Sequence, residues 1–286
     1  MKKLLAVVLA LCILCLAGCG STGNNATNIA DAKSLADLAG AKIAAQAGTF
    51  HADALAQING AETSTYPDFT DLLVALKSDA IDGYVAEEPT AYSVCASDDT
   101  LTYIPLKNND TGFTATAADV GIAVGLKTGS ALREQINAVL ATVTDEQKAT
   151  LMQQIVDLTA GKTVESFVLE SEVPTAPVGT LKVGMECAYE PFNWTDVEPS
   201  VGSVAISSEG GGYANGYDVQ IAQYVANKLN MKLEIYAIEW DSLIPAVQSG
   251  AVDAVVAGMS PTAEREEEVD FTNTYYESNL VIIIKK

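Results

Sequence analysis

Residues 243–265 read LIPAVQSGAVDAVVAGMSPTAER. Leu243, Ile244 and Val247 recur at helical spacing, and Gly250 is the natural stop for that helix. Residues 252–257 are almost wholly apolar, as befits a parallel strand covered on both faces. Ser260-Pro261-Thr262 then opens a second helix, with Pro261 suited to its first turn and Ser260 or Thr262 to its cap. Arg265 projects near the start of that helix. The stretch is therefore a helix–turn–strand–helix unit of an α/β sheet.

The same unit recurs without a gap at residues 72–87, LLVALKSDAIDGYVAE. Leu72 aligns with Leu243, Ala75 with Ala246 and Ser78 with Ser249. Ala80-Ile81-Asp82 aligns with Ala251-Val252-Asp253, and Val85-Ala86 with Val256-Ala257. Two such units far apart predict two similar α/β lobes; coincidence between ordinary α/β units is the competing reading. Ligands of open α/β sheets sit beyond the carboxyl ends of the strands. One copy ends there in Glu87-Glu88, the other in Gly258, Ser260 and Arg265. An anion and a cation at equivalent strand ends of facing lobes suit a zwitterion held between them.

Outward from these units, the amino terminus carries Lys2 and Lys3, then an apolar run at residues 4–17, then Leu16-Ala17-Gly18-Cys19. The run is short for a membrane span but suits a secretory signal. Its end resembles the lipobox of bacterial lipoproteins, which implies cleavage before Cys19 and lipid on Cys19. An uncleaved anchor would also leave the protein on the outer face of a membrane. Cys95 and Cys187 then remain, and are expected as two buried free thiols, because a disulfide between them would cross the two lobes. One histidine and no paired cysteine spacing argue against zinc or another metal.

The formal net charge is −21, and without Lys2 and Lys3 only 14 basic residues stand against 37 acidic ones. That excludes electrostatic binding to nucleic acid or to an anionic membrane surface. Plain solubility explains the charge better than a preference for cationic ligands does. Residues 46–51, QAGTFH, form a Gly turn before a helix whose first N–H groups can receive a carboxylate. A simple strand–helix turn is the plainer reading of that signal alone, and His51 without a partner reads as a surface or pocket-edge residue rather than a catalyst. Asp218 is expected to cap the helix that runs to Leu229.

Residues 181–286 resemble one lobe of the family-3 bacterial solute-binding proteins, the amino-acid-binding proteins of ABC importers. The resemblance rests on LKVGMECAYEPFNW, GYDVQIAQYVANKL, EWDSLIPAVQSGAVDAVVAGMSPTAEREEEVDFTNTYY and SNLVIIIKK. Residues 29–160 resemble that family's other half through SLADLAGAKIAAQAGT, DAIDGYVAEEPTAY and VGIAVGLKTGSALREQINAVL. The order is the reverse of the family's, so the resemblance implies a circularly permuted, two-lobed α/β periplasmic-binding-protein-like fold of type II. The expected parts are a lipoprotein signal peptide at 1–18, a tether at 19–28, the family's second lobe at 29–118 and a hinge strand at 119–127. Closing helices follow at 128–160, a linker at 161–180, the family's first lobe at 181–279 and a hinge strand at 280–286.

The resemblance also implies roles. Arg265 would fork onto a ligand α-carboxylate, with Ser260, the Gly258 backbone and Thr49 adding polar contacts. Glu87 would accept the α-ammonium, with Glu88 as the alternative. Tyr189 and Trp240 would sandwich the ligand side chain, and Glu186 would meet its distal end, favouring arginine or lysine or another polar amino acid. Implied besides are no cofactor, an ABC permease as partner, a monomer, and an extracytoplasmic protein held to the membrane only through Cys19. Two other readings are a dehydratase-like enzyme on the same fold and an amino-acid sensor lipoprotein. No nucleophile–base pair is evident in the sequence, which favours binding over catalysis.

Overall fold

A computed structural model describes residues 29–169, 171–208 and 210–286. The expected signal peptide, tether and lipidation site at Cys19 lie outside them. Two five-stranded sheets, each with helices packed on it, make two α/β lobes.

In the amino-terminal lobe the sheet runs Glu62–Tyr66, Lys42–Gln46, Gly83–Glu87, Leu280–Lys285 and Leu101–Ile104. The first three strands are parallel, and Leu280–Lys285 lies antiparallel to both its neighbours. In the carboxyl-terminal lobe the order is Met231–Ala237, Gly179–Met185, Ala254–Val255, Gly125–Leu126 and Asp270–Phe271. Again three strands are parallel, and the fourth runs antiparallel to both neighbours. Each lobe thus takes its fourth strand from a segment that arrives from the other lobe.

The two copies of the repeated unit fold alike down to single hydrogen bonds. The amides of Ala80 and Ala251 donate to the carbonyls of Ala75 and Ala246, both at 3.0 Å, closing the two helices in the same turn. The Asp82 carboxylate accepts the Lys42 amide at 2.8 Å, and that of Asp253 accepts the Lys182 amide at 2.9 Å. The Asp82 and Asp253 amides return the bond to the carbonyls of Lys42 and Lys182, each at 2.8 Å. Each aspartate therefore pins the last of the three parallel strands to its neighbour, where a slip of one residue would reverse every side chain. Gly250 ends its helix at φ 78°, a left-handed conformation that glycine adopts without a Cβ penalty.

Several expectations are corrected. The segment 280–286, expected as a hinge strand, lies inside the amino-terminal sheet. Residues Leu280, Val281, Ile282, Ile283 and Ile284 are all apolar and buried, so they need cover on both faces. The chain crosses between lobes just before it, where Tyr276–Glu277 pairs antiparallel with Gly121–Ile122. Pro261 precedes the next helix, Ala263–Glu266, which Thr262 caps by accepting the Arg265 amide. Asp218 lies inside the first turn of helix Tyr217–Lys228, behind Gly216, and is buried. It accepts from Tyr275 Oη at 2.6 Å and Asn193 Nδ2 at 2.7 Å, so it serves the core and not the cap. Cys187 is buried as expected, but Cys95 is only partly so.

Helices Leu132–Leu140 and Asp145–Thr159 follow the crossing. The second opens on a capping box of Thr144 and Gln147, with Asp145 and Glu146 in the first turn. Its end meets helix Glu88–Ser97 of the other lobe, where Ser93 Oγ lies 2.8 Å from Thr159 Oγ1. The expected linker at 161–180 is not wholly solvated. Phe167 and Leu169 are buried, and Gln154 grips the segment through Ser166 O and Val168 N. Among the described residues no helix is long and apolar enough to cross a membrane.

Candidate functional site between the lobes

The carboxyl ends of the parallel strands in both sheets meet at one seam. Gln46 ends the first strand of the amino-terminal lobe, as Glu186 follows the first strand of the other. Gln46 Nε2 donates to Glu186 Oε1 across the seam at 2.6 Å. Glu186 Oε2 is buried without a partner. Burial pushes the Glu186 carboxyl up to about 7; the Gln46 hydrogen bond opposes this, and the nearby acids Asp68, Glu239 and Asp241 add to it.

After Gln46 the chain turns through Gly48 at φ +67°, where a Cβ would stand 3.0 Å from Asp241 Oδ1. The turn exposes the Gly48 carbonyl to the other lobe. Trp240 Nε1 and Arg265 Nη2 both donate to it, each at 3.0 Å. Arg265 Nη1 donates to Ser260 O at 2.9 Å, and its guanidinium carbon stands 5.2 Å from the Trp240 ring. Burial lowers the Arg265 pKa to about 10, with Asp53 and Glu264 opposing, so the group stays cationic at neutral pH. Thr49 caps helix Phe50–Ala54, accepting from the Ala52 amide. Its hydroxyl proton goes to Gln46 O at 2.7 Å. The hydroxyl is thus engaged within its own turn, where a donor to a ligand was expected.

Glu87 ends its strand buried, and its Oε1 lies 3.0 Å from His51 Nε2. Glu87 Oε2 and His51 Nδ1 are buried without partners. Glu88 turns away and accepts from Asn279 Nδ2 at 3.2 Å, so of the two acids Glu87 is the one aimed inward. His51, read from sequence as a surface or pocket-edge residue, is a buried partner of that acid.

Tyr189 and Trp240 do not face one another with open space between them. The Tyr189 ring stacks on Phe69 from the other lobe, with centroids 4.0 Å apart and 11° between planes. It also leans on Phe192 at 5.0 Å. Tyr189 Oη is buried without a partner. Gly258, at φ +63°, lies under this ring, and a Cβ there would meet it at 2.9 Å. Phe69 in turn meets the His51 ring edge-on at 5.7 Å. The seam is thus two linked clusters: Arg265, Trp240, Ser260 and Gly48 in one, and Glu87, His51, Phe69, Tyr189 and Gly258 in the other. The Gln46–Glu186 bond is a further contact across it.

Sequence reading missed Phe69 and Gln46. Gln46 carried a usable signal, since it follows Lys42 at the same interval that Glu186 follows Lys182. Phe69 carried none beyond its place behind the cap Asp68. Among the described residues no group of three or more His, Cys, Asp or Glu could hold a metal.

The model for bacterial extracellular solute-binding proteins, family 3, matches residues 181–286. The matched residues make up a little over a third of the chain. The same segment is similar to the arginine-binding extracellular protein ArtP of Bacillus subtilis (strain 168). The two are 34% identical over 106 residues, 37% of this chain and 36% of ArtP. The probable histidine-binding protein of Neisseria gonorrhoeae is 34% identical over 118 residues, 41% of this chain and 39% of that protein. The L-cystine-binding protein TcyJ of Escherichia coli (strain K12) is 28% identical over 132 residues, 46% of this chain and 45% of TcyJ. The chain therefore spans less than half the length of each of these relatives. Among solved structures, an ancestral arginine-binding protein bound to arginine matches 34% of this chain and 38% of its own at 39% identity, with a TM-score of 0.29.

Proposed function

We propose that this protein captures an L-amino acid between its two lobes and delivers it to the permease of an ABC importer. The observation that carries the reading is the charge arrangement of the seam. A guanidinium from one lobe, Arg265, and a carboxylate from the other, Glu87, are each withdrawn from water in the two linked clusters of the seam. Buried polar atoms cost free energy unless paired, and Glu87 Oε2, Glu186 Oε2 and Tyr189 Oη have no protein partner. An α-amino acid supplies the complement: a carboxylate for the Arg265 fork, an ammonium for Glu87, and a side chain whose end reaches Glu186. Ser260 and the Gly258 backbone line the same approach. The acids around Glu186 favour a cationic side chain, arginine or lysine, over a neutral one.

In this reading the ligand separates contacts that the seam now makes with itself. The Arg265–Gly48 and Gln46–Glu186 bonds hold the lobes together, and the ligand's polar groups take over part of those bonds. The lobes move about the crossing at residues 121–122 and 276–277. The composite surface of the closed lobes is what a permease would read. Cys19 carries the lipid that holds this monomer on the outer face of the membrane. The chain is a circular permutant of the family order, a reading supported by the location of the family segment after the other lobe. Binding and not catalysis is the activity, in line with the names of the relatives above.

A thermal-shift screen with the twenty amino acids, followed by calorimetry, tests the reading. One or a few basic or large polar L-amino acids should raise the melting temperature and bind one per chain. The proposal fails if none of the twenty shifts the melting temperature and none gives heat.

A further inference from the structure

Beside the Phe69–Tyr189 stack lies a cavity of about 410 Å³, in which Arg265, Trp240, Glu87 and Glu186 take no part. Its size falls within the range of roughly 300–1,000 Å³ usual for small-molecule sites. Phe69, Leu73, Tyr84 and Val94 supply apolar wall from one lobe. Two polar groups interrupt this wall. Thr90 is 2% exposed, and its Oγ1 has no hydrogen-bond partner. Glu190, from the other lobe, lends its carboxylate, which accepts from Ser93 Oγ.

The charge balance of the lining is uneven. Its one cation, Lys77, is already paired with Asp98 at 2.6 Å. None of the ion pairs among the described residues includes Glu190. Burial, the largest influence on the Glu190 carboxyl, pushes its pKa up, as expected of an acid withdrawn from water without a cation beside it. An ammonium would restore the favoured charged form, and an apolar body would fill the aromatic and aliphatic wall. An anion would meet Glu190 with like charge.

We propose that this cavity is a second binding site, for a small primary amine with an apolar body, its ammonium on Glu190 and Thr90 Oγ1. The site shares the Phe69 ring with the amino-acid seam but none of the seam's charged groups, and it does not depend on that function. Nothing in it presents a guanidinium fork, so a free amine and not an α-amino acid is its guest.

The test is calorimetric titration of the full chain with 2-phenylethylamine and, in parallel, with 2-phenylethanol, which has the same body without the charge. We expect one saturable amine site in the wild type, retained in Arg265→Ala. Glu190→Gln should weaken the amine by roughly tenfold or more, the size of a lost charge-assisted hydrogen bond. 2-Phenylethanol should bind the wild type more weakly by a similar factor. Leu73→Trp, which fills the cavity from a half-buried helix position, should abolish amine binding; if that variant does not fold, the Glu190→Gln and 2-phenylethanol comparisons decide. The proposal is overturned if the wild type shows no saturable amine binding, or if Glu190→Gln binds the amine as tightly as the wild type. It is overturned equally if Arg265→Ala loses the amine while Glu190→Gln keeps it, which would place the amine in the seam.

Discussion

Replacing Glu186 by glutamine removes one ionisable group and leaves the carbonyl oxygen that accepts from Gln46 Nε2. In the folded protein burial moves this carboxyl from its ordinary 4.5 to about 7. The folded state thus holds the proton more tightly than the unfolded chain does. Between about pH 4.5 and pH 7 the unfolded state has lost the proton while the folded state keeps it, so stability falls as pH rises through that window and levels off above it. Full ionisation corresponds to roughly 3 kcal/mol, and partial exposure of the side chain reduces this to roughly 2 kcal/mol. Asp218, pushed up to about 6 by burial, adds a slope of the same sign. The informative quantity is therefore the difference between variant and wild type. Urea denaturation of the ligand-free proteins should show near-equal stability around pH 5 and an advantage of roughly 2 kcal/mol for Glu186→Gln at pH 8. Parallel stability curves over this range would refute the burial argument. The same substitution should weaken arginine and lysine more than glutamine, because only a cationic side chain loses a charge partner. Equal losses for all three would remove Glu186 as the specificity residue.

Arg265→Ala should abolish amino-acid binding at a cost of about 2–5 kcal/mol or more, with the fold intact by circular dichroism; near-native calorimetric affinity would sink the carboxylate assignment. Gly258→Ala places a methyl 2.9 Å from the Tyr189 ring in a left-handed backbone, and should lower stability by roughly 1–3 kcal/mol in denaturant melts. An unchanged midpoint would show that the ring yields freely. Trp240→Phe keeps an aromatic face for Arg265 but removes the indole N–H donated to Gly48 O, one of the direct polar contacts across the seam. Small-angle scattering should then show a larger radius of gyration without ligand, and an identical profile would mean that this bond does not hold the seam.

What the sequence determined by itself was the pair of α/β units. Local rules are enough for this: apolar spacing sets helix and strand, Gly250 ends one helix, and the matched Asp82 and Asp253 recur because each must pin the same two strands. The strand-end chemistry was legible for the same reason. A residue at or just beyond the carboxyl end of a parallel strand has its place set by its own few neighbours, which is why Glu87, Gly258, Ser260 and Arg265 could be named as seam residues, whereas Glu186 was named only through the family resemblance. The choice between Glu87 and Glu88 was not legible, because it depends on Asn279, far along the chain. Nor was the partner of Tyr189: a ring on one lobe stacks on Phe69 of the other only once both lobes are placed. The fate of residues 280–286 depended on tertiary structure too. A run of five apolar residues demands burial on both faces, but which sheet supplies it is decided by where the chain crosses. Glu186 shows the same division within one residue: its identity and strand-end place are local, whereas its raised pKa comes from desolvation by a lobe built from another part of the chain.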